Sequence, residues 1–260
     1  MTADTSNRPV ALVTGAQRGI GRAIALQMAQ AGFDVALCDR MLSDELHAAA
    51  AEVAELGVRS TAVCFDLADT STHAAMLDAA EAVLGPVTCL VNNAGVSVLS
   101  RGDLLDVTPQ AYDHCQDINT RGTFFLMQAF ARRLLVRPQH PHHRSMVTIT
   151  SSNAQAVSIQ RGEYCVSKAA LSMVSSLFAV RLGGEGIGVY EVVPGLIETE
   201  MSLTSKARYD ADIQRGWLVV PRWGQAHEVG KVVSTLALGL LPYTVGQAIR
   251  VDGGMLINKY

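Results

Sequence analysis

Charge of one sign is scarce in this sequence, and so are aromatic side chains, proline and paired cysteines. Acidic residues outnumber basic ones by only 24 to 21, and the formal net charge of −3 leaves no basic footprint for nucleic acid. Five cysteines are present (Cys38, Cys64, Cys89, Cys115 and Cys165), an odd number, widely spaced and without a C-x-x-C pair. Cys38, Cys64 and Cys89 fall on expected strands, so reduced core thiols are expected, not disulfides or a metal centre. No apolar run reaches the roughly 18 residues a membrane helix needs, and Leu236–Leu241 is short and interrupted by Gly239. The polar start, residues 1–8, lacks a signal peptide's apolar stretch and is expected to be flexible. These absences point to a cytoplasmic protein with no membrane or nucleic-acid partner.

What is abundant is apolar mass: 49% of the 260 residues are hydrophobic, enough for a large core without staples. Short β-branched runs alternate with helical patterns throughout. Strands are expected at Val10–Thr14, Asp34–Cys38, Arg59–Phe65, Val87–Val91, Met146–Thr150, Ile187–Val193 and Gln247–Val251. Between them, helices are expected near Ser43–Leu56, Thr70–Leu84, Pro109–Val136, Glu163–Leu182 and Ala226–Leu238, with a long loop from Leu196 to Val220. No linker, repeat or low-complexity segment divides the chain. The pattern predicts one α/β domain over 1–260, a Rossmann-type doubly wound parallel sheet of about seven strands with helices on both faces. Ligands of such sheets sit beyond the carboxyl ends of the strands.

The first strand runs into Thr14-Gly15-Ala16-Gln17-Arg18-Gly19-Ile20-Gly21. Glycines there let a pyrophosphate approach the amides and dipole of the next helix, making Gly15, Arg18, Gly19, Ile20 and Gly21 candidate contacts of a dinucleotide. Asp39 follows at the end of the second strand, where a carboxylate takes ribose hydroxyls and repels a 2′-phosphate. That favours NAD over NADP, although Arg18 and Arg40 lie close enough in sequence to attract such a phosphate. Asp66 and Leu67 after the third strand, and Asn93, Ala94 and Gly95 after the fourth, complete the nucleotide end.

At the chemical end, Tyr164 and Lys168 stand at i and i+4 near a helix start and share a face. A phenol with a pKa near 10 is a poor base at neutral pH. An ammonium one turn away, with a positive nicotinamide ring, would favour the phenolate.

The T-G-x-x-x-G-x-G loop, Asn92-Asn93-Ala94-Gly95, Asn119, the serine, Tyr-x-x-x-Lys, Pro194-Gly195 and Val251-Asp252-Gly253-Gly254 stand in order. From Val10 to Gly254 the chain thereby resembles the short-chain dehydrogenase/reductase family, nearest its 3-oxoacyl-[acyl-carrier-protein] reductase-like members. The resemblance implies that Ser151, rather than Ser152, holds the substrate oxygen, being 13 residues before the tyrosine. It implies that Tyr164 passes the proton, that Lys168 binds the nicotinamide ribose, and that Asn119 anchors a water linking Lys168 to solvent. Pro194, Gly195, the amides around Ile197 and the Thr199 hydroxyl would hold the nicotinamide end. Dimers and homotetramers are implied through the two long helices and the C-terminal segment.

The expected reaction moves a hydride between nicotinamide and a carbonyl or secondary alcohol of a small, polar substrate. Arg101, Arg161 and Glu163 stand on expected loops at the substrate mouth. A fatty-acid role with acyl carrier protein is the alternative. It is disfavoured by Asp39 and by Glu185, an acid before Gly186 where those reductases carry a base, although Arg132 and Arg133 remain nearby. A cofactor-sensing protein without catalysis would be expected to lack Ser151, Tyr164 or Lys168, and all are present. An epimerase of the same superfamily would have different glycine spacing. The histidine-bearing stretch 137–144 reads as a lengthened solvated loop rather than a metal site.

Overall fold

The continuous apolar runs become parallel strands covered on both faces, the environment that such runs require. The computed structural model describes residues 8–137, 140–203 and 206–258. Its elements run β1 (Val10–Thr14), α1 (Gly19–Gln30), β2 (Asp34–Asp39), α2 (Asp44–Glu55), β3 (Ser60–Cys64), α3 (His73–Leu84) and β4 (Cys89–Asn92). After a loop come α4 (Pro109–Cys115), a π-helical segment (Gln116–Gly122), α5 (Thr123–Val136), β5 (Arg144–Ile149), α6 (Gly162–Leu182) and β6 (Ile187–Pro194). The chain continues through β7 (Ile197–Glu198), α7 (Glu200–Leu203), α8 (Lys206–Gln214), β8 (Gly224–Gln225), α9 (Ala226–Ala237) and β9 (Ala248–Val251).

Seven strands form one parallel sheet in the order β3-β2-β1-β4-β5-β6-β9, so the strand order reverses between β1 and β4. One core packs Ile24 and Met28 of α1, Leu46 and Val53 of α2, and Val229 and Val233 of α9 against one face. The other packs Met76 and Leu77 of α3, Leu126 and Phe130 of α5, and Leu171 and Leu182 of α6 against the opposite face. By length and composition α6 could cross a membrane, but Leu171, Val174 and Leu182 are buried in this second core.

Several expectations need correction. The helical stretch from Pro109 to Val136 is not one helix. Residues Gln116–Gly122 take π-helical turns, a form that recurs at functional sites. The stretch from Leu196 to Val220 is not a bare loop, because it contains β7, α7 and α8. Leu196, Ile213, Leu218 and Trp223 give this region a small core of its own. Cys64 is exposed, because it ends edge strand β3, whereas Cys38 and Cys89 are buried as expected. Arg8 is not loose: it donates to the Gly57 carbonyl at 2.6 Å and lies 3.8 Å from Asp34. Residues 1–7 lie outside the described residues, as do Pro138 and Gln139 of the histidine-bearing stretch. Within that stretch His143 packs against Gly239 and lies 3.4 Å from the Tyr190 hydroxyl, so it is not a solvated loop residue. Among the described residues no cluster of metal-ligating side chains occurs.

Gly122 closes the π-helical segment against the loop after β3. A Cβ there would lie 2.3 Å from the Leu67 carbonyl oxygen. Alanine is the better helix former by about 1 kcal/mol, but overpacking of this kind costs about 1–3 kcal/mol. Gly122→Ala should therefore lower the thermal midpoint, and an unchanged or raised midpoint in a melting experiment would refute this packing.

Candidate active site

The carboxyl edges of β1, β4, β5 and β6 meet around one cleft. Thr14 stitches the first two together: its hydroxyl accepts from the amides of Asn93 and Ala94, both at 3.0 Å. The Asn93 side chain donates back to the carbonyls of Thr14 and Gly15 at 2.9 and 3.0 Å. Asn93 therefore fixes the glycine loop with its amide group, a use that the sequence pattern did not disclose. Gly21 is required by the same closeness, since a Cβ there would lie 2.0 Å from the Gly15 carbonyl oxygen.

Helix α1 begins without a side-chain cap and without an acid in its first turn. In α2, by contrast, Ser43 accepts from the Leu46 amide, and Asp44 and Glu45 stand in the first turn. The open amides and the positive end of α1, which Gly19 and Ile20 begin, therefore face the cleft, as a pyrophosphate requires. Across the cleft, a Cβ at Gly19 would lie 3.7 Å from the Thr199 methyl group. The Thr199 amide donates to Ser202 Oγ at 2.9 Å, and Gly195 is held to the Val251 carbonyl at 3.0 Å. Pro194 ends β6 opposite Val251.

Asp39 is aimed at the glycine loop. Its two oxygens accept from the Gln17 amide at 3.2 Å and the Arg40 amide at 2.8 Å. Arg18 turns away from it to Glu200, 2.9 Å distant at the start of α7. Asp66 is exposed and caps its own turn through the Ala68 amide, while Leu67 is buried in the core. The glycine cradle, open helix end and inward carboxylate fit a nicotinamide dinucleotide.

Ser151, Tyr164 and Lys168 converge at the ends of β5 and α6. The Ser151 hydroxyl accepts from the Asn153 amide at 3.1 Å and so caps the short turn that follows it. Burial raises the Tyr164 phenol pKa; the facing Ser151 hydroxyl and the Arg161 guanidinium oppose that rise. The Arg161 guanidinium lies 5.3 Å from the centre of the Tyr164 ring, and Lys168 Nζ lies 5.8 Å from it. Lys168 Nζ donates to the Ile149 carbonyl at 3.2 Å. Burial pulls its pKa down to about 8, and Cys115 and the Glu191 carboxylate partly offset that fall. Within the protein itself burial is the largest influence and pushes the phenol upward.

Asn119 is buried in the π-helical segment. Its side chain accepts from the Val96 amide at 2.8 Å and donates to the Val96 carbonyl and Ser167 Oγ at 3.0 and 2.9 Å. A Cβ on Gly95 would lie 3.0 Å from Asn119 Oδ1 and 3.4 Å from Lys168 Nζ, so both face this glycine. Glu163 is not a loop acid at the mouth. It lies buried in the first turn of α6, and its carbonyl accepts from Gln116. Arg101 is exposed on its loop.

Sequence reasoning missed Glu191. This carboxylate is buried on β6, accepting from Thr150 Oγ1 at 2.6 Å and Ser172 Oγ at 2.7 Å. It thereby joins the residue before Ser151 to the residue one helical turn after Lys168. An acid inside the apolar run Val189–Val193 was the available signal.

Fold and cleft together define a nicotinamide-dependent oxidoreductase. A family model described as enoyl-(acyl carrier protein) reductase matches residues 15–256. L-rhamnose 1-dehydrogenase (NAD(P)(+)) of a Sphingomonas species is 31% identical over 248 residues, 95% of this chain and 96% of that one. The 2-dehydro-3-deoxy-D-gluconate 5-dehydrogenase of Dickeya dadantii is 30% identical over 250 residues, 95% of each. The crystal structure of a Brucella melitensis 3-oxoacyl-[acyl-carrier protein] reductase in complex with NAD superposes with a TM-score of 0.95 at 42% identity, covering 98% of this chain and 99% of that one. The chain belongs to the short-chain dehydrogenase/reductase family, whose enzymes act on CH–OH and C=O groups with NAD(P).

The lysine offers a test of the site's electrostatics. Because its pKa is lowered, the unfolded chain binds more protons than the folded one between about pH 8 and 10.4. The cost of burying the ammonium is thus fully present below pH 8 and is relieved as pH rises through that window. Lys168→Met should be more stable than wild type at pH 7, by roughly 1–3 kcal/mol, and should lose that advantage by pH 10. Denaturant titrations at both pH values check this, and a lysine variant less stable at pH 7 would contradict it.

Proposed function

We propose that this enzyme moves a hydride between NAD and the carbonyl or secondary alcohol of a small polar substrate, with Tyr164 as acid and base. The convergence of Ser151, Tyr164 and Lys168 where β5 and α6 meet carries the reading. Bound NAD supplies the hydride acceptor, or donor in the reverse direction. The chain's residues handle the oxygen. Ser151 orients it by a hydrogen bond, and Tyr164 gives it a proton during reduction and withdraws one during oxidation. Lys168 would bind the ribose and add positive charge beside the phenol. The raised pKa of the buried phenol suits donation; withdrawal needs the further positive charge of the oxidised cofactor. Asn119 holds the floor of the lysine pocket with Val96 and Ser167.

NAD is favoured over NADP because the Asp39 carboxylate is fixed, one oxygen by the Gln17 amide of the glycine loop and the other by the Arg40 amide, while Arg18 is engaged by Glu200. A 2′-phosphate would face a carboxylate without that guanidinium's compensation. The enzyme is further read as one domain that works in the cytoplasm as a dimer or tetramer. Exposed Met173, Leu177 and Val180 on α6, and Leu240, Leu241 and Tyr243 near the C-terminal strand, support the two contacts.

The second reading, reduction of a 3-oxoacyl thioester on acyl carrier protein, draws on the likeness to the Brucella reductase. Against it, Arg133 is engaged by Asp78 and Glu81 at 2.7 and 2.9 Å, and Glu185 stands exposed before Gly186.

Binding of NADH and NADPH, followed by fluorescence, tests the cofactor reading: NADH should bind more tightly, and Asp39→Ala should narrow the difference. Tighter NADPH binding by the wild type would reject it. Tyr164→Phe should bind NADH as wild type does and lose at least about a hundredfold in turnover. Near-normal turnover of that variant would remove Tyr164 from the mechanism.

A further inference from the structure

Arginines elsewhere in the molecule largely meet carboxylates: Arg22 meets Glu52, Arg59 meets Asp34, Arg137 meets Glu81 and Arg222 meets Glu228. Around the substrate mouth the pattern changes. Arg161 donates to Asn153 Oδ1 at 2.5 Å, Arg250 to Gln155 Oε1 at 2.8 Å and Arg208 to Gln160 Oε1 at 3.4 Å. Three guanidinium groups thus converge on one loop region through neutral amides, and among the described residues none of the three meets a carboxylate. The acid nearest in sequence to Arg161 does not supply the compensation. Glu163 is buried on the Cys115 side of α6 and makes no ion pair with it.

Arg161 differs from the other two. Its guanidinium covers the Tyr164 ring, and its Nε–H is buried with no hydrogen-bond partner. An unpaired buried donor on a charged group is costly, by about 1–3 kcal/mol or more, a cost that a ligand supplying an acceptor would relieve. Asn153, which this guanidinium meets, stands two residues after Ser151, and the Tyr164 ring lies 5.3 Å from the guanidinium carbon, so the group sits beside both residues proposed to handle the substrate oxygen. A carboxylate matches the planar fork of a guanidinium.

We infer that Arg161 is the anion subsite of the enzyme, and that the substrate is a small hydroxy or oxo acid whose carboxylate pairs with this guanidinium. The inference rests on the hydride-transfer reading above and narrows its substrate class. Arg208, on α8, and Arg250, on β9, add positive potential at the entrance, which raises the local concentration of an anion. The reaction stays balanced as before: the carbinol carbon loses a hydride to the cofactor, its hydroxyl proton passes to Tyr164, and the carboxylate is unchanged.

The test uses lactate, glycerate and gluconate, each beside its methyl ester, with the wild type, Arg161→Gln and Arg161→Lys. Binding to the NAD-loaded enzyme is measured by calorimetry, and oxidation by NADH formation. At least one acid should bind wild type about tenfold more tightly than its ester, the scale of one charge-assisted hydrogen bond. Arg161→Gln should lose that margin, with KM rising about tenfold more for the acid than for its ester, and Arg161→Lys should restore part of it. Equal binding of acid and ester by wild type would overturn the inference. So would an equal fall in kcat for both in Arg161→Gln, which would mean that the arginine acts only on Tyr164. Efficient reduction of a 3-oxoacyl thioester by wild type and Arg161→Gln alike, with no acid bound, would also overturn it. Arg161-dependent binding of an acid, with no hydride transferred to NAD or NADP, would instead leave the subsite standing and overturn the hydride-transfer reading.

Discussion

Lys168 carries its amine into a buried pocket at the end of β5, where the Ile149 carbonyl 3.2 Å away is its hydrogen-bond acceptor. Putting an ammonium group in such a place costs several kcal/mol unless partners compensate it, and much of the surrounding structure reads as that compensation. Glu191 supplies a carboxylate from the neighbouring strand, itself satisfied by Thr150 and Ser172. Asn119 reaches Gly95 from the far side, and the π-helical segment that delivers it is packed shut by Gly122 against Leu67. The lysine's incomplete compensation, visible in its lowered pKa, is a cost in stability carried beside the Tyr164 phenol.

The second organising constraint is that a parallel sheet ends all its strands on one side. Residues distant in sequence therefore arrive together without any local signal between them. Thr14 and Asn93 are 79 positions apart, yet two hydrogen bonds join them, one to the Thr14 hydroxyl and one to its carbonyl. Thr150 and Glu191 meet across adjacent strands in the same way. Each pairing fixes a strand end to within hydrogen-bond tolerance, which is the accuracy that positioning a substrate oxygen between Ser151 and Tyr164 demands.

Legibility in the sequence followed the range of the interactions. Strand runs and amphipathic helices are local patterns, and the sheet with its crossovers was readable from them. The Asp39 position and the Tyr164–Lys168 spacing were readable because one is set by a strand length and the other by one helical turn. What escaped was decided by partners far along the chain. Whether Asn93 faces a ligand or the glycine loop depends on Thr14 and Gly15. Whether Glu163 points out or in depends on its packing beside Gln116 and Cys115. Cys64 is exposed because β3 is the sheet edge, which no local pattern states. The π-helical segment was hidden for a different reason: its residues also suit an α-helix, and only the need to bring Asn119 toward Gly95 selects the wider turn.

The region between β6 and β9 binds these constraints into a specificity argument. Its small core, Leu196, Ile213, Leu218 and Trp223, gives it packing of its own, distinct from the two cores that cover the sheet. Glu200 at its first helix reaches Arg18 in the glycine loop, and Arg208 at its second reaches Gln160 beside Arg161. One unit therefore touches both ends of the cleft, with an acid directed to the nucleotide end and a base directed to the substrate end. That polarity fits the two ligands in opposite senses. An acid near the glycine loop withdraws the cation that a 2′-phosphate would need, while a base near Arg161 adds to the potential that draws a carboxylate.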